Sequence, residues 1–130
     1  MSDPVRNASR LFRIPAIYGL IVLLPLYFAE PMMGRYAPPP LTHPELYYGF
    51  IGAAATMQLV SLTIARDPIR FLPLMPIAAI GKFSFAGAVA VLFAIGRLEA
   101  SALPLPAIDL LLGVAFAVTW IKLSRPEVPK

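Results

Sequence analysis

Long apolar runs separated by short basic or proline-rich segments set the pattern of this chain. A helix needs roughly 20 largely apolar residues to cross a bilayer. Four runs meet or approach that length: residues 12–29, 46–65, 74–96 and 104–123. The pattern predicts an all-α, polytopic membrane protein. Its four transmembrane helices form one bundle, with residues 1–130 as a single transmembrane domain and short loops between the helices. The first run follows Arg6, Arg10 and Arg13, as the apolar part of a signal peptide would. It lacks an A-x-A cleavage pattern, and Pro25 falls late in it, so a retained helix is expected. No internal repeat relates the first pair of spans to the second.

Boundary signals agree with these spans. Thr42 and Glu45 in THPE have capping-box spacing, with Pro44 suited to a first helical turn. Asp67-Pro68 in ARDPIR reads as an N-cap followed by a first-turn proline. The segment RYAPPPLTHP reads as a partly extended, proline-rich loop. FLPLMP reads as a segment lying along the interface before the third span enters the bilayer. Small residues recur four apart at Ala86, Ala90 and Ala94 and again at Gly113 and Ala117, while Gly49, Gly52 and Ala53 make a smooth patch on the second span. Such positions let backbones approach in lipid.

Composition strengthens the membrane assignment. The chain is 58% hydrophobic and 14% charged, against about 45–50% and about 25% in soluble domains. The net charge of +4 does not point to nucleic acid, because the basic residues flank apolar runs instead of forming one stripe. Arg6, Arg10, Arg13, Arg66, Arg70, Lys122, Arg125 and Lys130 fall on the side of the termini. Only Arg35 and Arg97 fall on the other. The positive-inside rule then places both termini in the cytoplasm, with a bacterial inner membrane as the expected location. Tyr47 and Tyr48 on one side and Trp120 on the other fit the aromatic belts. There is no cysteine, which excludes disulfides and thiolate metal sites within this chain.

The polar residues inside the spans carry the functional question. Lys82 lies roughly 9 Å deep if the third span starts near Pro76, and roughly 16 Å deep if it starts at Phe71. At the shallower depth its ammonium can snorkel to the headgroups. At the greater depth it needs partners. Gln58 and Tyr18 reach a similar level from the second and first spans, and both can accept a hydrogen bond from the ammonium. The three residues make a candidate ligand-binding cluster, but snorkelling or structural glue is the favoured reading of Lys82 from sequence. Asp109 is the second unusual residue. Near the start of the fourth span it complements the helix dipole. Deeper, it needs a cation such as Arg97, Arg35 or Lys82, although counting residues from the span ends leaves the Lys82 pair several ångströms too long. His43 and Glu45 are weak metal candidates at the loop side. No HExxH, P-loop or GxSxG pattern is present, and no cofactor is implied.

The blocks His43–Phe50, Arg66–Pro68 and Lys82–Phe85 resemble an uncharacterised family of small bacterial four-helix integral membrane proteins. The resemblance covers roughly residues 41–85. It implies the same four-span fold and carries no activity with it. Function therefore rests on three expectations. The first is an accessory or structural bundle whose partners are the lipid bilayer and either a second copy of itself or a larger membrane complex. The second is binding or transport of an anionic amphiphile, lipid or small acid at Lys82, Gln58, Tyr18 and Asp109. Catalysis ranks last, because no acid–base pair is assured.

Overall fold

The computed structural model describes residues 2–36 and 40–125. Helix α1 spans Asp3–Leu23 and tightens into a 3-10 segment at Leu24–Phe28. A short helix α2 (Glu30–Tyr36) follows, then α3 (Pro44–Arg66), α4 (Met75–Ala94) and α5 (Pro104–Ser124), with 3-10 turns at Leu72–Leu74 and Ala100–Ala102. There is no strand among the described residues. Four stretches are long and apolar enough to cross a membrane: Asp3–Phe28, Pro44–Arg66, Leu72–Ala94 and Pro104–Ser124.

The fold differs from the sequence expectation mainly at the helix ends. The first helix begins at Asp3, well ahead of the apolar run. Pro4 presets the first turn, and Asp3 sits where the helix dipole favours a carboxylate and pairs with Arg6. The polar early turns also have a tertiary role. Ala8 and Ser9 are buried, and Ser9 Oγ donates a 2.6 Å hydrogen bond to the Ala65 carbonyl at the end of α3.

The capping box at Thr42 and Glu45 does not form. The N-cap is His43, with no side-chain cap bond, and Glu45 Oε1 lies 3.2 Å from His43 Nδ1 instead. Pro44 does open the helix as expected. Asp67 and Pro68 build a single turn, not a new helix: Arg70 N–H donates to Asp67 Oδ1 at 3.1 Å and Phe71 N–H to the Asp67 carbonyl at 3.0 Å. Arg35 and Tyr36 of the proline-rich segment are helical in α2, while residues 37–39 lie outside the described residues. Gly96 ends α4 with φ +74°. Arg97 N–H bonds the Leu92 carbonyl and Gly96 N–H the Phe93 carbonyl, the Schellman pattern in which glycine takes the left-handed position without steric cost.

The helices pack as two antiparallel pairs, α1 with α3 and α4 with α5. Gly113 sets the second pair. A Cβ at that position would stand 2.8 Å from Phe83 Cε1 and 3.2 Å from Lys82 Cβ, so only glycine allows this approach. The two pairs join at the end that carries both termini. There Phe12, Ile64, Ala65, Met75, Ala78, Ala79 and Phe116 form the buried core, with Trp120 packed against it. The Phe12 and Phe116 rings stack at 4.0 Å with 20° between planes. At the opposite end Tyr47 donates to the Leu26 carbonyl at 2.7 Å and Tyr48 to Glu30 Oε2 at 2.6 Å. These bonds tie α3 to the far end of the first span.

Candidate functional site: a groove between the helix pairs

Above the Phe12–Phe116 stack the two pairs enclose a groove of about 530 Å3. Small-molecule sites occupy roughly 300–1,000 Å3 and are mostly apolar with a few convergent polar groups. This groove has that make-up. Its walls include Val22, Leu23 and Leu26 from the first span, Phe50 and Ala54 from α3, Phe85 and Ala88 from α4, and Leu105, Ile108 and Leu112 from α5. Phe50 and Phe85 approach to 6.0 Å between ring centroids, bringing α3 and α4 together along one side. Its polar groups are Tyr18, Gln58, Lys82, Ser84 and Asp109. All four candidate ligand-binding residues from the sequence therefore line one groove.

The Lys82–Asp109 pair forms, contrary to the expectation from residue counting. Lys82 Nζ donates to Asp109 Oδ1 at 2.8 Å, and the two side chains are 17% and 18% exposed. The reason is geometric. Lys82 Cβ lies level with Gly113, and Asp109 is one helical turn, roughly 6 Å along the axis, from Gly113. An extended lysine stem covers that distance. Counting from the helix ends missed both the reach of the side chain and the offset that residues 95–103 introduce between α4 and α5. Helix α5 starts at Pro104, so Asp109 also sits beyond the first turn, where capping alone does not account for it.

Gln58 is 8% exposed. Its amide makes no hydrogen bond to any described residue, yet no fully buried polar atom lacks a partner, so the amide end opens on the groove. Gly19 makes room for it. A Cβ on Gly19 would stand 2.7 Å from Gln58 Cδ and 2.9 Å from Oε1. The amide thus lies flat across the bare backbone of α1. Tyr18 lines the groove but is 61% exposed, and the lysine's hydrogen bond goes to Asp109, not to Tyr18 or Gln58. Sequence reasoning overlooked Gly19. Its signal was a glycine inside a spanning run, one position from Tyr18.

Substituting Gly19 with alanine tests this packing. The far end of a glutamine can rotate away, so stability is expected to fall by less than ~1 kcal/mol. The displaced amide is instead expected to enter the groove and lower the retention of any bound small molecule, read by native mass spectrometry.

At the loop end, His43 and Glu45 stand together, but Glu30 is engaged by Tyr48. Among the described residues no group of three metal-ligating side chains occurs. A second concavity, about 560 Å3, lies between α2 and Pro40–Leu41. Among the described residues that line it, Glu30 and Arg35 are the charged ones.

No protein-family model matches this chain, and neither does any curated protein or solved structure.

Proposed function

We propose that this chain is an intramembrane binding or transport protein for an amphiphile, with the groove between its helix pairs as the site. It resides in a bacterial cytoplasmic membrane with both termini in the cytoplasm, a reading supported by the flanking arginines and lysines and by the resemblance of residues 41–85 to small bacterial membrane proteins. One observation carries the binding reading. Gln58, a buried side chain whose amide makes no hydrogen bond to any described residue, opens into the same mostly apolar groove that the Lys82–Asp109 pair lines. The amide is reachable from the groove and keeps its donors and acceptor free for a guest, as the few polar groups of a mostly apolar binding site do. A purely structural glue would satisfy its own members.

The test is native mass spectrometry of protein extracted gently from its membrane, wild type against Ala88→Trp. Ala88 lines the groove and leaves the ion pair untouched. A small bound mass in the wild type, lost in the variant, is the expected result. Ligand-free spectra for both proteins would overturn the reading and leave the accessory-bundle role. That second reading draws support from Gly49 and Gly87, where an added Cβ would meet nothing within 4 Å. These smooth positions are spare surface on which another helix can pack, and the same spectra report the oligomeric state.

A further inference from the structure

The groove's charge balance narrows the ligand class, on the footing of the binding site proposed above. Lys82 alone would suit an anion. With Asp109 at 2.8 Å its charge is already matched, so an anion arriving at Lys82 leaves the Asp109 carboxylate unbalanced in a low-dielectric site. Lys82 lies about midway along Leu72–Ala94, too deep for that charge to be solvated freely. The imbalance is relieved if one proton enters with the ligand. We propose that the groove takes a single-headed carboxylic acid together with its proton: the acid's proton passes to an Asp109 carboxylate oxygen, and the resulting carboxylate pairs with the Lys82 ammonium.

The step balances. The O–H bond of the acid breaks and an O–H bond on Asp109 forms. The groove's net charge is zero before and after, and no other reactant is needed. The Gln58 amide offers N–H donors to the carboxylate, and the apolar walls take the alkyl chain. The titratable groups facing the groove are Tyr18 from α1, Lys82 from α4 and Asp109 from α5; α3 contributes only the uncharged Gln58. One cation balanced by one carboxylate manages one negative charge and one proton. A phosphate monoester dianion would need a second of each. Free carboxylic acids also reach the site through lipid in their neutral form, whereas a phospholipid headgroup would have to be dragged to mid-membrane. Linkage fixes the sign of the pH effect. Above the acid's own pKa the free ligand is the anion, its binding takes up a proton, and affinity rises as pH falls.

The test is calorimetric titration of octanoate into the full chain in lipid nanodiscs, in two buffers of different ionisation enthalpy, between pH 6 and pH 8. The expected result is uptake of about one proton per octanoate and roughly tenfold weaker binding for each pH unit of increase. Asp109→Asn is expected to bind octanoate with no pH dependence, and Lys82→Met to lose it. Octanoate that binds wild type without proton uptake overturns the inference, and so does octanol binding as well as octanoate. If octanoate fails to bind while native spectra still show a groove-dependent small molecule, this inference falls and the binding site stands. If neither binds, both fall. The wild-type proton count keeps the test decisive even if a variant fails to fold.

Discussion

Replacing Asp109 with leucine is expected to destabilise the protein by about 2–4 kcal/mol, and adding Lys82→Met is expected to restore most of that loss. Removing one member of a buried ion pair typically costs about 3–5 kcal/mol, because the other charge stays behind without compensation. Insertion scales give a similar figure, about 2.5–3.5 kcal/mol for a lysine at the centre of a spanning helix. The range is set somewhat lower here because a lysine freed of its partner can extend its stem toward the headgroups and recover part of the loss. The double variant removes both charges from an apolar setting, and such replacements are often neutral. Measuring all four proteins by unfolding in mixed micelles gives the coupling directly. Single effects that simply add would show that Lys82 and Asp109 do not interact. A neutral Asp109→Leu with full stability would show that Lys82 reaches solvent by itself.

How far the sequence foretold this architecture depends on which physical signal is asked for. Span number was legible because crossing a bilayer imposes length and apolarity on a contiguous segment, and the four runs coincide with four helices long enough to span. Helix ends were less legible, because tertiary contacts decide them. The Ser9 bond to Ala65 extends α1 into a polar stretch that hydropathy alone treats as flank. At His43, capping geometry failed even though the residue types for a capping box were present.

The candidate site was legible as a set of residues, since polar side chains are rare in these runs and each stands out. Its wiring was not. Which groups touch depends on the axial offset between α4 and α5, fixed by the turn at Gly96, the segment after it and the close approach at Gly113. Those features act over a few ångströms, the length of one lysine stem. Counting residues from estimated helix ends resolves nothing finer than a turn, so the Lys82–Asp109 contact fell within its error. Gln58 shows the converse. Its depth could be counted, but the room for its amide depends on the bare backbone at Gly19, which no periodicity reports.

Phe12→Ala is expected to cost about 2–4 kcal/mol and to open the join between the helix pairs. Phe12 is fully buried and its ring stacks on Phe116 at 4.0 Å. It comes from the first pair and Phe116 from the second, so the contact bridges the two units at the closed end of the groove. In water-soluble cores a Phe→Ala change costs about 3–5 kcal/mol, part transfer from water and part cavity. Lipid tails are as apolar as the core, so the transfer part shrinks here. What remains is lost dispersion contact and an unfilled space, together with an aromatic stacking term of about 0.5–1.5 kcal/mol. Phe12→Leu keeps most of the volume and is expected to recover more than half of the loss. The distinctive consequence lies in geometry. With the vertex loosened, a spin-label pair at Leu26 on the first span and Leu105 on α5, both lining the groove, should show a broader distance distribution in Phe12→Ala than in wild type. Unchanged distances alongside lost stability would mean that the helix pairs are held at their angle by Phe50 and Phe85, and that Phe12 only fills space.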